Sequence, residues 1–77
     1  MGKSFLFILE LMVIILNGKE RSVNGQKTIA GLLEDLGQDA GRVVVEHNGR
    51  IVTGDGLKTA RLQEGDVLEV VRLVGGG

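Results

Sequence analysis

The 77-residue chain has no cysteine, no proline, no tryptophan and no tyrosine. Without cysteine there is no disulfide, zinc–thiolate site, thiol redox chemistry or cysteine nucleophile. The single histidine, His47, excludes a multi-histidine metal centre within one chain. Phe5 and Phe7 are the only aromatics, too few for base stacking or an aromatic cage. A surplus of one charge is missing too: nine Lys+Arg face ten Asp+Glu, for a net charge of −1. That balance gives no footing for nucleic-acid or other polyanion binding. No Walker-type phosphate loop is present, so the chain brings no ATP site of its own.

Long hydrophobic runs are also limited. Residues 5–16 read FLFILELMVIIL. A membrane helix needs about 20 apolar residues, and this shorter run is interrupted by Glu10. A signal peptide would need a basic start and a small-residue cleavage site, which Lys3 alone and Asn17-Gly18-Lys19-Glu20 do not supply. No membrane contact and a cytoplasmic location are expected. Met12 lies inside the run and can serve as a start, which makes residues 1–11 an N-terminal extension of uncertain origin. The alternative is an unusually long apolar first strand that seeks another sheet edge.

What is present is globular: 43% hydrophobic and 25% charged residues, with 13 glycines. A chain of this length buries only about 60% of its unfolded surface, so a deep active-site pocket would remove core it needs. An enzyme is not expected, and no catalytic or metal-binding residue is assigned.

The apolar, β-branched residues 12–17 read as a strand. Asn17-Gly18 is a type I′ hairpin signal, with residues 19–23 as the returning strand. Thr28 is placed to cap a helix whose Ile29, Leu32, Leu33 and Leu36 form one apolar stripe. Gly37 suits its C-terminal cap, and Gly31 within it points to close packing on the sheet. Residues 43–47 form a further strand, Asn48-Gly49 a second hairpin turn, and residues 50–52 its return. Residues 53–61 read as an irregular loop, Glu64-Gly65-Asp66 as a turn and residues 67–74 as the last strand. One helix laid across one face of a mixed sheet of four to five strands, an α+β fold, is the simplest packing.

Alternation in the last strand decides which side is covered. Leu68, Val70 and Arg72 form one set, and Val67, Glu69, Val71 and Leu73 the other. An unpaired buried carboxylate is costly, so Glu69 turns the second set outward. By the same reasoning Val43 and Val45 face inward, while Val44 and Glu46 face outward. Val44, Val71 and Leu73, rimmed by Glu46 and Glu69, are therefore a candidate partner surface. His47 has inward parity and reads as a partly covered structural residue. Arg72 lies near the tail, where it can meet acidic groups or simply be solvated. Asp55 within Thr53-Gly54-Asp55-Gly56 lacks the ligand set of a calcium loop.

The segments MVIILNGKE, TIAGLLEDLG, VVVEHNGRIV and LQEGDVLEVVRLVGGG, in this order over residues 12–77, resemble the ThiS family, the sulfur carriers of thiamin biosynthesis. The most specific part is the Glu64-Gly65-Asp66 turn, the apolar strand and the glycines that end the chain. The resemblance implies a ubiquitin-like β-grasp domain over residues 12–74 and a flexible glycine tail over residues 75–77. It further implies that a ThiF-like adenylating enzyme activates the carboxylate of Gly77. A persulfide enzyme then supplies sulfur, and the thiocarboxylate delivers it to thiazole synthase. Gly75 adds reach; Gly76 and Gly77, lacking Cβ atoms, can thread a narrow channel in backbone conformations closed to other residues. The chain would be a protein co-substrate with no cofactor of its own. Family members often carry a proline after the second hairpin and a tryptophan in the following loop, where this chain has Thr53-Gly54 and Leu57. Residues 1–11 have no family counterpart. The small subunit of molybdopterin synthase, a ubiquitin-like modifier joined through Gly77, and an interaction module with an inert tail fit the same pattern.

Overall fold

The computed structural model describes residues 11–25 and 27–74. Five strands form one sheet: β1 (Leu11–Leu16), β2 (Lys19–Asn24), β3 (Val43–His47), β4 (Arg50–Val52) and β5 (Val67–Arg72). Two helices join them, α1 (Ile29–Asp35) and the short α2 (Asp55–Thr59), with a 3-10 turn at Ala40–Arg42. The strand order is β2-β1-β5-β3-β4. β5 lies in the centre, parallel to β1 and antiparallel to β3. The sheet is thus mixed, as expected.

The local sequence accounts for each reversal. Both hairpin turns carry the positive φ that type I′ geometry requires at its two central residues: Asn17 at 51° and Gly18 at 82°, Asn48 at 52° and Gly49 at 87°. Thr28 caps α1 by accepting a 3.1 Å hydrogen bond from Gly31 N–H. At the other end Gly37, with φ +70°, donates to Glu34 O at 3.0 Å, and Gln38 N–H donates to Leu33 O at 2.9 Å. Those two bonds form a Schellman cap, which satisfies carbonyls the helix leaves open.

The core lies between α1 and one face of the sheet. Ile29, Leu32 and Leu33 from α1 are buried with Ile14 of β1, Val23 of β2, Val43 and Val45 of β3 and Leu68 of β5. Leu36, Val52 and Val70 pack at its margin. Leu57 and Leu62 close the remaining side.

Three local expectations need correction. The segment 53–61 is not wholly irregular: it contains α2, whose Leu57 is buried. A helix of five residues with a single apolar anchor has no repeat from which periodicity can be read. The last strand ends at Arg72 rather than Val74, although Leu73 N–H still donates to Arg42 O at 2.8 Å. Gly31 does not face the sheet. A Cβ there would lie 3.0 Å from Lys27 Cδ and 3.4 Å from Thr28 Oγ1, so its neighbours are the residues that open α1.

Leu68 is fully enclosed in the central strand. Leu68→Ala is expected to cost about 2–5 kcal/mol in urea unfolding, against about 0.5 kcal/mol for Val71→Ala on the same strand's open side.

Candidate functional site

The face of the sheet away from α1 carries no second layer among the described residues. Its composition follows from the register. Val44 lies opposite Val71, and Glu46 lies opposite both Glu69 on β5 and Ile51 on β4. On the other side of β5, Val67 lies beside Ile15 of β1. The sheet therefore gathers Val44, Glu46, Glu69 and Val71 into one patch. Leu73 continues it just beyond β5, and both Val71 and Leu73 are 55% exposed. Gly75, Gly76 and Gly77, the expected reactive tail, lie outside the described residues.

The patch is wider than these five residues. Leu11, Val13 and Ile15 share its parity on β1, and Val67 and Ile51 are also exposed on it. No alternation marks these β1 residues, because their inward neighbours Met12, Ile14 and Leu16 are equally apolar.

β5, which leads toward the tail, is fixed by the two hairpin turns. Asn17 N–H donates to Leu68 O at 2.9 Å. Its side chain then takes the place of another strand residue: Oδ1 accepts from Val70 N–H at 2.8 Å and Nδ2 donates to Val70 O at 3.3 Å. An open groove beyond this clamp is lined by Leu16, Leu36, Gln38, Val70 and Arg72. Arg72 thus sits at the root of the tail, on the opposite parity to Val71.

From the second turn, Asn48 exchanges hydrogen bonds with Val67: its N–H donates to Val67 O and its Oδ1 accepts from Val67 N–H, each at 2.8 Å. Asn48 Nδ2 also donates to Asp66 Oδ1 at 3.1 Å. The other Asp66 oxygen accepts from His47 Nε2 at 2.8 Å and from Gln63 N–H at 2.9 Å. An ionised carboxylate only accepts, so the proton of that His47 contact is on Nε2. His47 is largely covered, as its parity predicts. Asp66, in sequence only a turn residue, is 7% exposed. Burial pushes its pKa up, but the hydrogen bonds from His47, Asn48 and Gln63 and the charge of His47 outweigh this and hold it below 3.8.

The His47–Asp66 pair is a structural brace. No group of three His, Asp or Glu side chains among the described residues could hold a metal ion. No helix among them is long and apolar enough to cross a membrane. A carboxylate whose pKa is lower in the folded state stabilises above the unfolded value and loses that contribution as pH falls through the folded value. Asp66→Asn is therefore expected to cost about 1–3 kcal/mol at neutral pH, with the gap to the parent closing below 3.8. Thermal unfolding of both proteins across this range is the check.

Known proteins are similar to this chain in architecture and in sequence. The crystal structure of the thiamine biosynthesis protein (ThiS) from Geobacter metallireducens superposes with a TM-score of 0.73 at 29% identity, covering 86% of this chain and all of that one. The sulfur carrier protein ThiS of Thermus thermophilus is 37% identical over 65 residues, 84% of this chain and 100% of the relative. A thiazole synthase of Paramagnetospirillum magneticum is 38% identical over 66 residues, 86% of this chain but 20% of the relative. A thiazole synthase of Magnetococcus marinus is 39% identical over 66 residues, again 20% of its length. This chain thus spans about a fifth of those two synthases. The sequence model of the ThiS family matches residues 14–77, through the last strand and the glycines that follow it. On this match and the shared five-stranded fold, the chain belongs to the ThiS family of small sulfur carrier proteins.

Proposed function

We propose that the chain carries sulfur as a thiocarboxylate on Gly77 and gives it up for thiazole formation in thiamin biosynthesis. The observation that carries this reading is the family match extending through Gly75-Gly76-Gly77, which follow β5 after Leu73 and Val74. The chemistry begins with a carboxylate, which is a poor electrophile. A carboxylate oxygen attacks the α-phosphorus of ATP, pyrophosphate leaves, and the acyl adenylate has AMP as a good leaving group. The terminal sulfur of an enzyme persulfide attacks the carbonyl carbon and displaces AMP. A thiol then cleaves the remaining sulfur–sulfur bond and frees the thiocarboxylate, a nucleophilic sulfur.

The ATP and persulfide sites belong to partner enzymes, and the chain acts as their co-substrate. Its own contribution is a docking face and a narrow tail. The outward patch of Val44, Glu46, Glu69, Val71 and Leu73 grips the partner, while Gly75, Gly76 and Gly77 reach the reacting centre. Three partners follow: a ThiF-like adenylating enzyme, a persulfide enzyme and thiazole synthase. Support for thiazole synthase as a partner comes from the two thiazole synthases that contain a segment like this chain.

The test incubates the protein with ATP, magnesium, the adenylating enzyme of the same genome and a persulfide source, then records intact mass. The expected gain equals replacement of one oxygen by sulfur. Deleting Gly77 should abolish it, and Gly76→Val should slow it by about tenfold or more, because a branched side chain obstructs a path open to glycine. Absence of the gain, with an adenylating enzyme proven on its own carrier, overturns the reading. Masses of the chain joined to lysines would point to a protein modifier instead.

A further inference from the structure

The outward face is segregated by charge as well as by polarity. Its strand residues include Ile15, Val44, Val67 and Val71 together with Glu20, Glu46 and Glu69. The strand lysine and arginines, Lys19, Arg21, Arg50 and Arg72, all have the opposite parity. Arg42, just before β3, lies 3.8 Å from Asp39. Glu46 and Glu69 sit directly opposite each other on the neighbouring strands β3 and β5. Both are exposed, and neither carboxylate has a hydrogen-bonded or ionic partner among the described residues. Like charges placed opposite each other destabilise a sheet. The free protein gains nothing from this pair.

We propose that the Glu46–Glu69 pair is the receptor for a basic side chain, an arginine or lysine, projecting from an apolar surface of thiazole synthase. This rests on the docking reading given above for the same face. Closing a partner over Val44 and Val71 removes water from the two carboxylates beside them. Buried carboxylates without a counter-charge are costly, so the partner must bring a cation to that spot. An arginine fits especially well, since its planar fork can donate to both carboxylates at once. The same pair repels an acidic or purely apolar surface, which makes it a device of selection as well as attraction.

The test measures binding of immobilised thiazole synthase from the same genome by biolayer interferometry. Wild-type affinity should fall steeply as salt is raised from about 50 to about 500 mM. E46Q/E69Q, which keeps shape but removes both charges, should bind about tenfold more weakly at low salt, with a flattened salt dependence. Its melting temperature should equal or exceed the parent's, because the repulsion is gone. E46K/E69K should abolish binding. If E46Q/E69Q binds within about twofold of wild type while Val71→Ser weakens binding, the face docks but the charge proposal is wrong. If Val71→Ser is also without effect, or wild type does not bind, the docking reading itself fails. Should either variant fold poorly, the salt dependence of the wild-type protein decides alone: a flat profile overturns the proposal.

Discussion

A single main helix can cover only one face of a five-stranded sheet, and everything else in this molecule follows from that. Among the described residues no second layer covers the other face, and without cysteine there is no disulfide staple, so the hydrophobic contribution comes from one side. Ile29, Leu32 and Leu33 meet Ile14, Val45 and Leu68 there. The opposite side is left with apolar residues that folding alone does not use. That surplus, beside the strand leading to the tail, is where a partner can gain buried area that the monomer never had.

The second constraint is the placement of β5. It lies between β1 and β3 but pairs with β1 over only Ile15↔Val67 and Leu16↔Leu68. Two turn asparagines lengthen the pairing of β5, Asn17 on the β1 side and Asn48 on the β3 side. Asn17 reaches Val70, and Asn48 reaches Val67 and Asp66. The positive φ that makes Asn suitable for each turn also places a side-chain amide beside β5. One residue type thus reverses the chain and secures the strand from which the tail departs.

Much of this was legible in the sequence, for local reasons. Asn17-Gly18 and Asn48-Gly49 need positive φ, and few other residue pairs supply it. The Ile29–Leu32–Leu33 spacing shows a helical stripe, and Glu69 is enough to set the parity of β5. The outward patch followed from that parity, and the register placed Val44 and Glu46 beside Val71 and Glu69. The rest depends on pairing at a distance. Asp66 looks like any acidic turn residue until His47 and Asn48, 19 and 18 positions earlier, close over it. Asn17 finds Val70 across 53 positions, a contact that no window along the chain contains. The outward residues of β1 were hidden for a different reason: where every residue is apolar, alternation leaves no trace.

The central position of β5 also sets the order in which the protein can be made. The strand translated last of the five belongs in the middle of the sheet, between two hairpins already synthesised. Until it arrives, β1 and β3 each have one open edge, and Ile14 and Val45 have no Leu68 to pack against. Such pairings of distant segments form slowly, and the waiting edges are exposed to other chains. The nascent chain therefore cannot complete this core before β5 leaves the ribosome. A chain that lacks β5 thus has no assembled face to offer a partner.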